Sequence, residues 1–353
     1  MKKIYGVIAG CMGVVLLFLG VYSLSMRFDS IPLTDENTIV MAAAMALPDG
    51  KYRESIEDNT APNTDYRQDG TVPKVITSSE VYSENPQKYA EENQYPVIEK
   101  QIEGGDINYN NISIKNSTGF TLDVEKYLSN KLGFKCSDKD EVQVLIIHTH
   151  TSESYLTYDN GYYHESFYPR SSDNNKNMVR VGEEIKKALE QKGIGVVHAT
   201  ETHDSPQYDG AYYRSYDTTL KYLEKYPDIK VILDIHRDSL SSGSNGGKVK
   251  PTFTAGGKKA AQIMIMTGYD PDGSLDFPFW EENLTFALKL QQKCEDMYPG
   301  MTRPLYFGNF VYNMNVNNGS LLIEVGTDAN TLEEAVYTGG LLGNVLSEVL
   351  QSE

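Results

Sequence analysis

The sequence predicts an α/β fold, with a mostly parallel sheet flanked by helices on both faces. Three observations carry that prediction. Apolar runs stop abruptly at ionisable residues three times: Leu145-Ile146-Ile147 before His148, Val231-Ile232-Leu233 before Asp234, and Leu321-Leu322-Ile323 before Glu324. Short apolar runs of this kind read as strands buried on both faces. They alternate with segments of helical periodicity, as βαβ crossovers require. Finally, residues 111–353 give about 240 residues, enough for one complete core. In such a sheet the ligand crevice lies outside the carboxyl ends of the strands. The ionisable residues fall at those ends.

The elements follow in order. Val142–Ile147 is the first strand. The segment 177–192 is a helix, with Val181, Ile185 and Leu189 on one face and Gly193 suited to a left-handed cap. A strand is expected over 194–198, then a helix over 215–226 that Pro227 ends. Strands over 229–235 and 260–268 follow, then a long helix over 281–298. A strand over 321–325 and a closing helix over 331–350 complete the head.

The amino-terminal region reads differently. Ile4 to Leu24 is a 21-residue run without charge, about 31 Å long as a helix and enough to span a bilayer core. Lys2 and Lys3 precede it, and Asp29, Asp35 and Glu36 follow Arg27. That bias predicts a single-pass anchor over residues 1–26, with a cytoplasmic amino terminus and the head outside. A cleaved signal is the competing reading, with Ala42-Ala43-Ala44-Met45-Ala46 as its processing site. Residues 27–110 are rich in Asp, Glu, Asn, Tyr, Thr and Pro and lack sustained periodicity. They are expected to form an acidic flexible linker, because they bury too little to offset ordering entropy. A small subdomain packed on the head is the alternative.

The net charge of −17 argues against nucleic acid as a partner. The three cysteines, Cys11, Cys136 and Cys294, make no disulfide framework and no metal-ligand spacing. Any metal must therefore be held by His and carboxylates. The sequence contains no Gly-rich phosphate loop with a Lys, no G-x-S-x-G elbow and no H-E-x-x-H.

The chemistry concentrates at the strand ends. In His148-Thr149-His150-Thr151-Ser152-Glu153 the chain turns after the strand, so His150 is the expected ligand and His148 a supporting or core residue. His236 is expected as the second imidazole ligand. Glu324 is expected as the general base, its pKa raised by burial. The third ligand is open between Asp173, Glu153, His164, Glu165, Glu183 and His198, and Asp173 is favoured for its place on the loop leaving the first strand. Arg237 is expected to orient substrate or stabilise an oxyanion. Tyr208, Tyr213 and Arg214, in a turn-rich aromatic stretch, are expected to bind substrate.

These blocks carry a family resemblance. HTHTSESY (148–155), NMVRVGEEIKKAL (177–189), THDSPQYDGAYYRS (202–215), DIHRDS (234–239) and LLIEVG (321–326) resemble the stage II sporulation protein P family. That family in turn is similar to zinc N-acetylmuramoyl-L-alanine amidases. Those place a His after the first strand, a Glu before the first helix, a second His at a strand end and a catalytic Glu in an L-V-E-x-G strand. Here His150, His236 and Glu324 match by position, and Asp173 stands near the expected Glu. The resemblance implies a Zn2+ cofactor and cleavage of the amide between N-acetylmuramic acid and stem-peptide L-alanine, with possible endopeptidase action on cross-links. It implies peptidoglycan as substrate, and sporulation proteins D and M as partners in engulfment at the septal membrane. The reading from a different class is a catalytically inactive wall-binding scaffold that recruits another hydrolase.

Overall fold

The computed structural model describes residues 92–243 and 245–352. An eight-stranded sheet dominates. It comprises β2 (Ile107–Tyr109), β3 (Ile112–Asn116), β4 (Val142–Ile147), β6 (Gly195–His198), β7 (Val231–Asp238), β11 (Ile263–Gly268), β12 (Leu305–Gly308) and β13 (Ser320–Thr327). Their spatial order is β2-β3-β12-β11-β13-β7-β4-β6. A second sheet holds β10 (Lys258–Ala261), β9 (Gly247–Ala255), β1 (Gln94–Lys100) and β5 (Tyr162–His164), with the short β8 (Ser241–Ser242) on β9. The strands β1 and β2 fall within the range that composition assigned to the linker.

The expected mostly parallel sheet is corrected: the fold is mixed α/β. β13, β7, β4 and β6 form a parallel block, but β11 runs antiparallel to β13. The second sheet is also mixed, with β9 antiparallel to β10 and parallel to β1. The physical reason lies in the connections. Strands that run the same way in such a sheet are usually joined through a crossover helix. No helix separates β7 from β11; the chain folds instead through β8, β9 and β10.

Among the described residues there are five α-helices: α1 (Val124–Ser129), α2 (Met178–Gln191), α3 (Ala211–Lys225), α4 (Trp280–Met297) and α5 (Leu332–Gln351). α2 starts at an Asn177 cap whose side chain accepts from Val179 N, and Gly193 follows it at φ +79°. Thr331 caps α5 in a reciprocal box with Glu334. Strand side chains alternate between two apolar layers. Val144, Ile146, Val231, Leu233, Ile235, Leu321, Ile323 and Val325 join α2, α4 and α5 in the main core. Leu145, Ile147 and Ile232 face the other way, toward Tyr222 and Leu223 of α3. That alternation decides which face of the sheet carries the site.

The membrane expectation is also corrected. No helix among the described residues is long and apolar enough to cross a membrane, and Ile4–Leu24 lies outside them. The single-pass anchor, the cytoplasmic amino terminus and the external head thus find no support, and no membrane topology is assigned.

Candidate metal centre

Two parallel strands and one turn build the site. His236 on β7 stands in register with Glu324 on β13. Both have parity opposite to the core residues around them, so both face the α3 side with Asp234. β4 ends at Ile147. His148 keeps the strand's alternation and is buried on the α2 side. The chain then turns, with Glu153 N donating to His150 O at 3.1 Å. That turn carries His150 and Glu153 round to the face that His236 occupies.

One potential ligand atom from each of His150, Glu153 and His236 lies within 4.8 Å of the others. His150 Nδ1 is 3.4 Å from Glu153 Oε1, and His236 Nδ1 is 3.6 Å from Glu153 Oε2. The imidazoles meet edge to face, with centroids 5.1 Å apart. His236 Nε2 lies 2.8 Å from Asp234 Oδ1, close enough for an ion pair but off the line of a good hydrogen bond. Asp234 is itself fixed by Thr149, whose amide (2.9 Å) and hydroxyl (2.6 Å) both donate to it. A carboxylate on the outer nitrogen of a ligating histidine fixes its tautomer and orientation. Here it would leave Nδ1 turned to the cluster.

The electrostatics fit a cation. Burial opposes the charge on Glu153, but Arg237 and then the two imidazoles outweigh it and hold the carboxyl well below its usual range. Burial likewise opposes a charged His236, yet Asp234 and Glu153 raise its pKa well above the ordinary value. The pocket thus selects positive charge between Glu153 and the imidazoles. Two imidazoles and one carboxylate are the donor set of catalytic zinc sites that keep one position open. The residues present fit the implied metal.

Glu324 completes the site. Burial pushes its carboxyl up to about 8; repulsion from Asp238 and Glu153 adds to this, against attraction from His236 and Arg303. Its Oε2 is shielded and makes no hydrogen bond among the described residues.

Several sequence expectations change. Asp173 is not brought to the cluster. It sits in an exposed turn, accepting from Asn175 N at 2.9 Å and pairing with Lys176 at 3.7 Å, and Glu153 takes the third place. Arg237 is buried. Its guanidinium donates to Ser154 O (3.2 Å) and Pro169 O (2.8 Å) and lies 3.8 Å from Glu153 Oε1. It therefore holds Glu153 and two backbone carbonyls. His148 is fully buried, bonded to Ile235 O and His198 Nε2 at 2.8 Å each. Burial pushes its pKa down to about 3, so it is a neutral strut. His198 pairs with Glu183 at 3.4 Å, and His164 lies on β5 in the second sheet. Of the expected substrate residues, Tyr208 covers the site, with its ring stacked on His150 at 4.7 Å and Arg170 above it at 4.9 Å. Tyr213 is 63% exposed on α3. Arg214 binds the carbonyls of His203, Gln207 and Asp209, so it fixes the loop that carries Tyr208.

Sequence reasoning missed Asp234 as the partner of His236, although its i, i+2 spacing on a strand was a usable signal. Tyr212 belongs to the aromatic stretch whose tyrosines the sequence suggests as the lining of a sugar or peptide groove. Tyr312 lies in the polar-aromatic loop 303–315, which the sequence marks only weakly as a border of the cleft. Yet Tyr212 lies 5.5 Å from His150, and Tyr312 stacks on Tyr212 at 5.2 Å.

Comparison with known proteins bears on identity. The family model described as "Stage II sporulation protein P (SpoIIP)" matches residues 36–347. The stage II sporulation protein P of Bacillus subtilis (strain 168) is 31% identical over 221 residues, covering 60% of this chain and 51% of that protein. The chain thus spans about half the length of the curated relative it matches. Among solved structures, N-acetylmuramoyl-L-alanine amidase AmiC2 of Nostoc punctiforme is 12% identical with a TM-score of 0.36, over 61% of this chain and 96% of that one. Ami1 from Mycobacterium smegmatis, of the same named activity, is 13% identical with a TM-score of 0.35, over 62% and 100%. Likenesses this weak say nothing of this chain's chemistry. None of these matches supports sporulation proteins D and M as partners, and that expectation is withdrawn. The His/His/Glu cluster is able to hold a metal ion. With its family pattern running from residue 36 to 347, the chain belongs to the stage II sporulation protein P family.

Proposed function

We propose that this chain is a zinc-dependent amidase that hydrolyses the amide joining the lactyl group of N-acetylmuramic acid to stem-peptide L-alanine. One observation carries the reading: His150, Glu153 and His236 converge beside Glu324, a carboxyl with a raised pKa. Zinc, when bound by those three residues, would polarise the scissile carbonyl as a Lewis acid. The chain's own residues do the rest. Asp234 orients His236, and Arg237 and Arg170 hold Glu153. Glu324 takes a proton from the attacking water and returns it to the leaving nitrogen. A carboxyl poised near neutrality suits both halves of that task. Tyr208 and Tyr212 wall the opening and shelter the reacting groups from bulk water.

The test is digestion of purified sacculi with the purified chain and zinc, followed by mass spectrometry of the new ends. Free stem peptides beginning with L-alanine are expected, and Glu324→Gln should slow their release by about 100-fold or more. Split cross-links with no free stem peptides would make the chain a peptidase instead. If no new ends form, while the protein binds both zinc and sacculi, the non-catalytic scaffold reading replaces this one.

A further inference from the structure

We infer that Tyr312 is a further catalytic residue, its phenol hydroxyl donating a hydrogen bond to the scissile carbonyl oxygen as charge builds there. The inference rests on the amidase reading and adds a donor to it.

The site as described has a base and a metal set but lacks an aimed hydrogen-bond donor. The arginines around it are paired with carboxylates. Arg237 holds Glu153 and two backbone carbonyls. Arg170 holds Asp204 at 2.6 Å and packs on Tyr208. Arg303 pairs with Asp238 at 2.8 Å, and its Nε and Nη1 are buried without a hydrogen-bond partner among the described residues. Tyr312 is different. It is partly exposed, and its hydroxyl makes no hydrogen bond among the described residues. Glu324 is the charged group that acts most strongly on it. Burial first, and then Glu324, push its pKa up to about 12, so the phenol keeps its proton and remains a donor.

Its placement is enforced. Tyr312 and Asn313 adopt φ +42° and +59°, left-handed values at two successive residues with side chains. Such conformations persist only where the surroundings over-determine them, and they gather at functional sites. Here the ring is clamped between Tyr212 (5.2 Å) and Phe310 (5.0 Å). Asn313 Nδ2 donates to Tyr212 O at 2.9 Å and to Ser215 Oγ at 3.0 Å. Ser215 Oγ lies 2.7 Å from Thr149 Oγ1, which donates to Asp234, the partner of His236. One polar chain therefore ties the loop carrying Tyr312 to the histidine at the metal cluster. A donor fixed in advance needs no reorganisation as charge develops, and that makes it effective.

In the step itself the water oxygen bonds to the amide carbon and the C–N bond breaks. Glu324 carries the proton from water to nitrogen. Tyr312 neither gains nor loses a proton.

Tyr312→Phe removes the hydroxyl alone. It should lower kcat by about 100- to 1000-fold, the scale for loss of one such donor, with KM, zinc content and melting temperature near the parent's. A phosphinate analogue of muramoyl-L-alanine, whose charged oxygens mimic the developing charge, should bind the variant about 100-fold more weakly by calorimetry. If the parent releases stem peptides and the variant matches its kcat within about twofold, Tyr312 is not the donor and the amidase reading stands alone. If the parent releases none, the amidase reading fails and this inference falls with it.

Discussion

His236 shows how one residue's chemistry is made by its neighbours. Asp234 holds its outer nitrogen, and Glu153 faces its inner one. Asp234→Asn keeps the shape and removes the charge. It should weaken zinc binding by about 10- to 100-fold, the usual effect of altering a ligand's supporting carboxylate, and competition with a chromogenic chelator would measure it. Glu324 gives a prediction about pH. Its folded pKa, about 8, lies above its ordinary value of 4.5. A group raised on folding stabilises the folded state most fully below its unfolded value, and the contribution disappears as pH climbs through the folded one. Metal-free parent protein should therefore lose melting temperature relative to Glu324→Gln between pH 4.5 and about 8. Parallel melting curves across that window would show the raised pKa to be wrong. At this scale the sequence was partly legible. Glu324 ends one apolar run, and His150 and His236 each stand two residues beyond the residue that ends another. Asp173 misled, because a carboxylate before a helix is equally well placed to serve a turn, as it does here with Asn175.

Helix α2 connects element packing to the site. Gly182 lies where a Cβ would come within 2.6 Å of His198 Nε2 and 2.7 Å of His148 Nε2. The missing side chain lets the helix settle on the paired imidazoles that support the end of β4. Gly182→Ala sets two effects against each other. Helix propensity favours alanine by about 1 kcal/mol, while overpacking a filled interior costs about 1–3 kcal/mol. Both rings are confined, His148 fully, so the clash should win. Net destabilisation of about 1 kcal/mol is expected by urea denaturation, together with weaker zinc binding as β4 shifts. A stabilised variant would mean that the imidazoles can move aside. α2 itself was plain from its apolar face and Gly193, because both are local signals. The direction of β11 was not, since its neighbour β13 lies more than fifty residues away along the chain.

For the whole molecule, a metal that joins the β4 turn to β7 should stabilise the fold. Ligand at about 100 times its dissociation constant adds about 2.7 kcal/mol to a state that alone binds it. Zinc should raise the melting temperature, chelator should reverse the rise, and Glu153→Gln with His236→Ala should abolish it. The second sheet is fastened by a different device. Lys250, 1% exposed on β9, meets Asp159 at 2.7 Å, Glu334 of α5 at 3.0 Å and Glu99 of β1 at 3.5 Å. That cluster pins β1 and β9 against α5. Composition alone left residues 92–110 outside the head, because a strand stabilised by a distant lysine and a neighbouring edge carries little apolar patterning of its own.

The sequence by itself determined the buried strands, the helices between them, and hence the ionisable residues carried at the strand ends. Those properties follow from local periodicity and from the cost of burying ionisable groups without partners. Tertiary structure alone decided that Glu153 rather than Asp173 joins the imidazoles, that Arg237 is buried, and that Tyr312 stacks on Tyr212. Each depends on which way a chain turns after a strand and on what lies across the sheet, and contacts between residues far apart in sequence govern both.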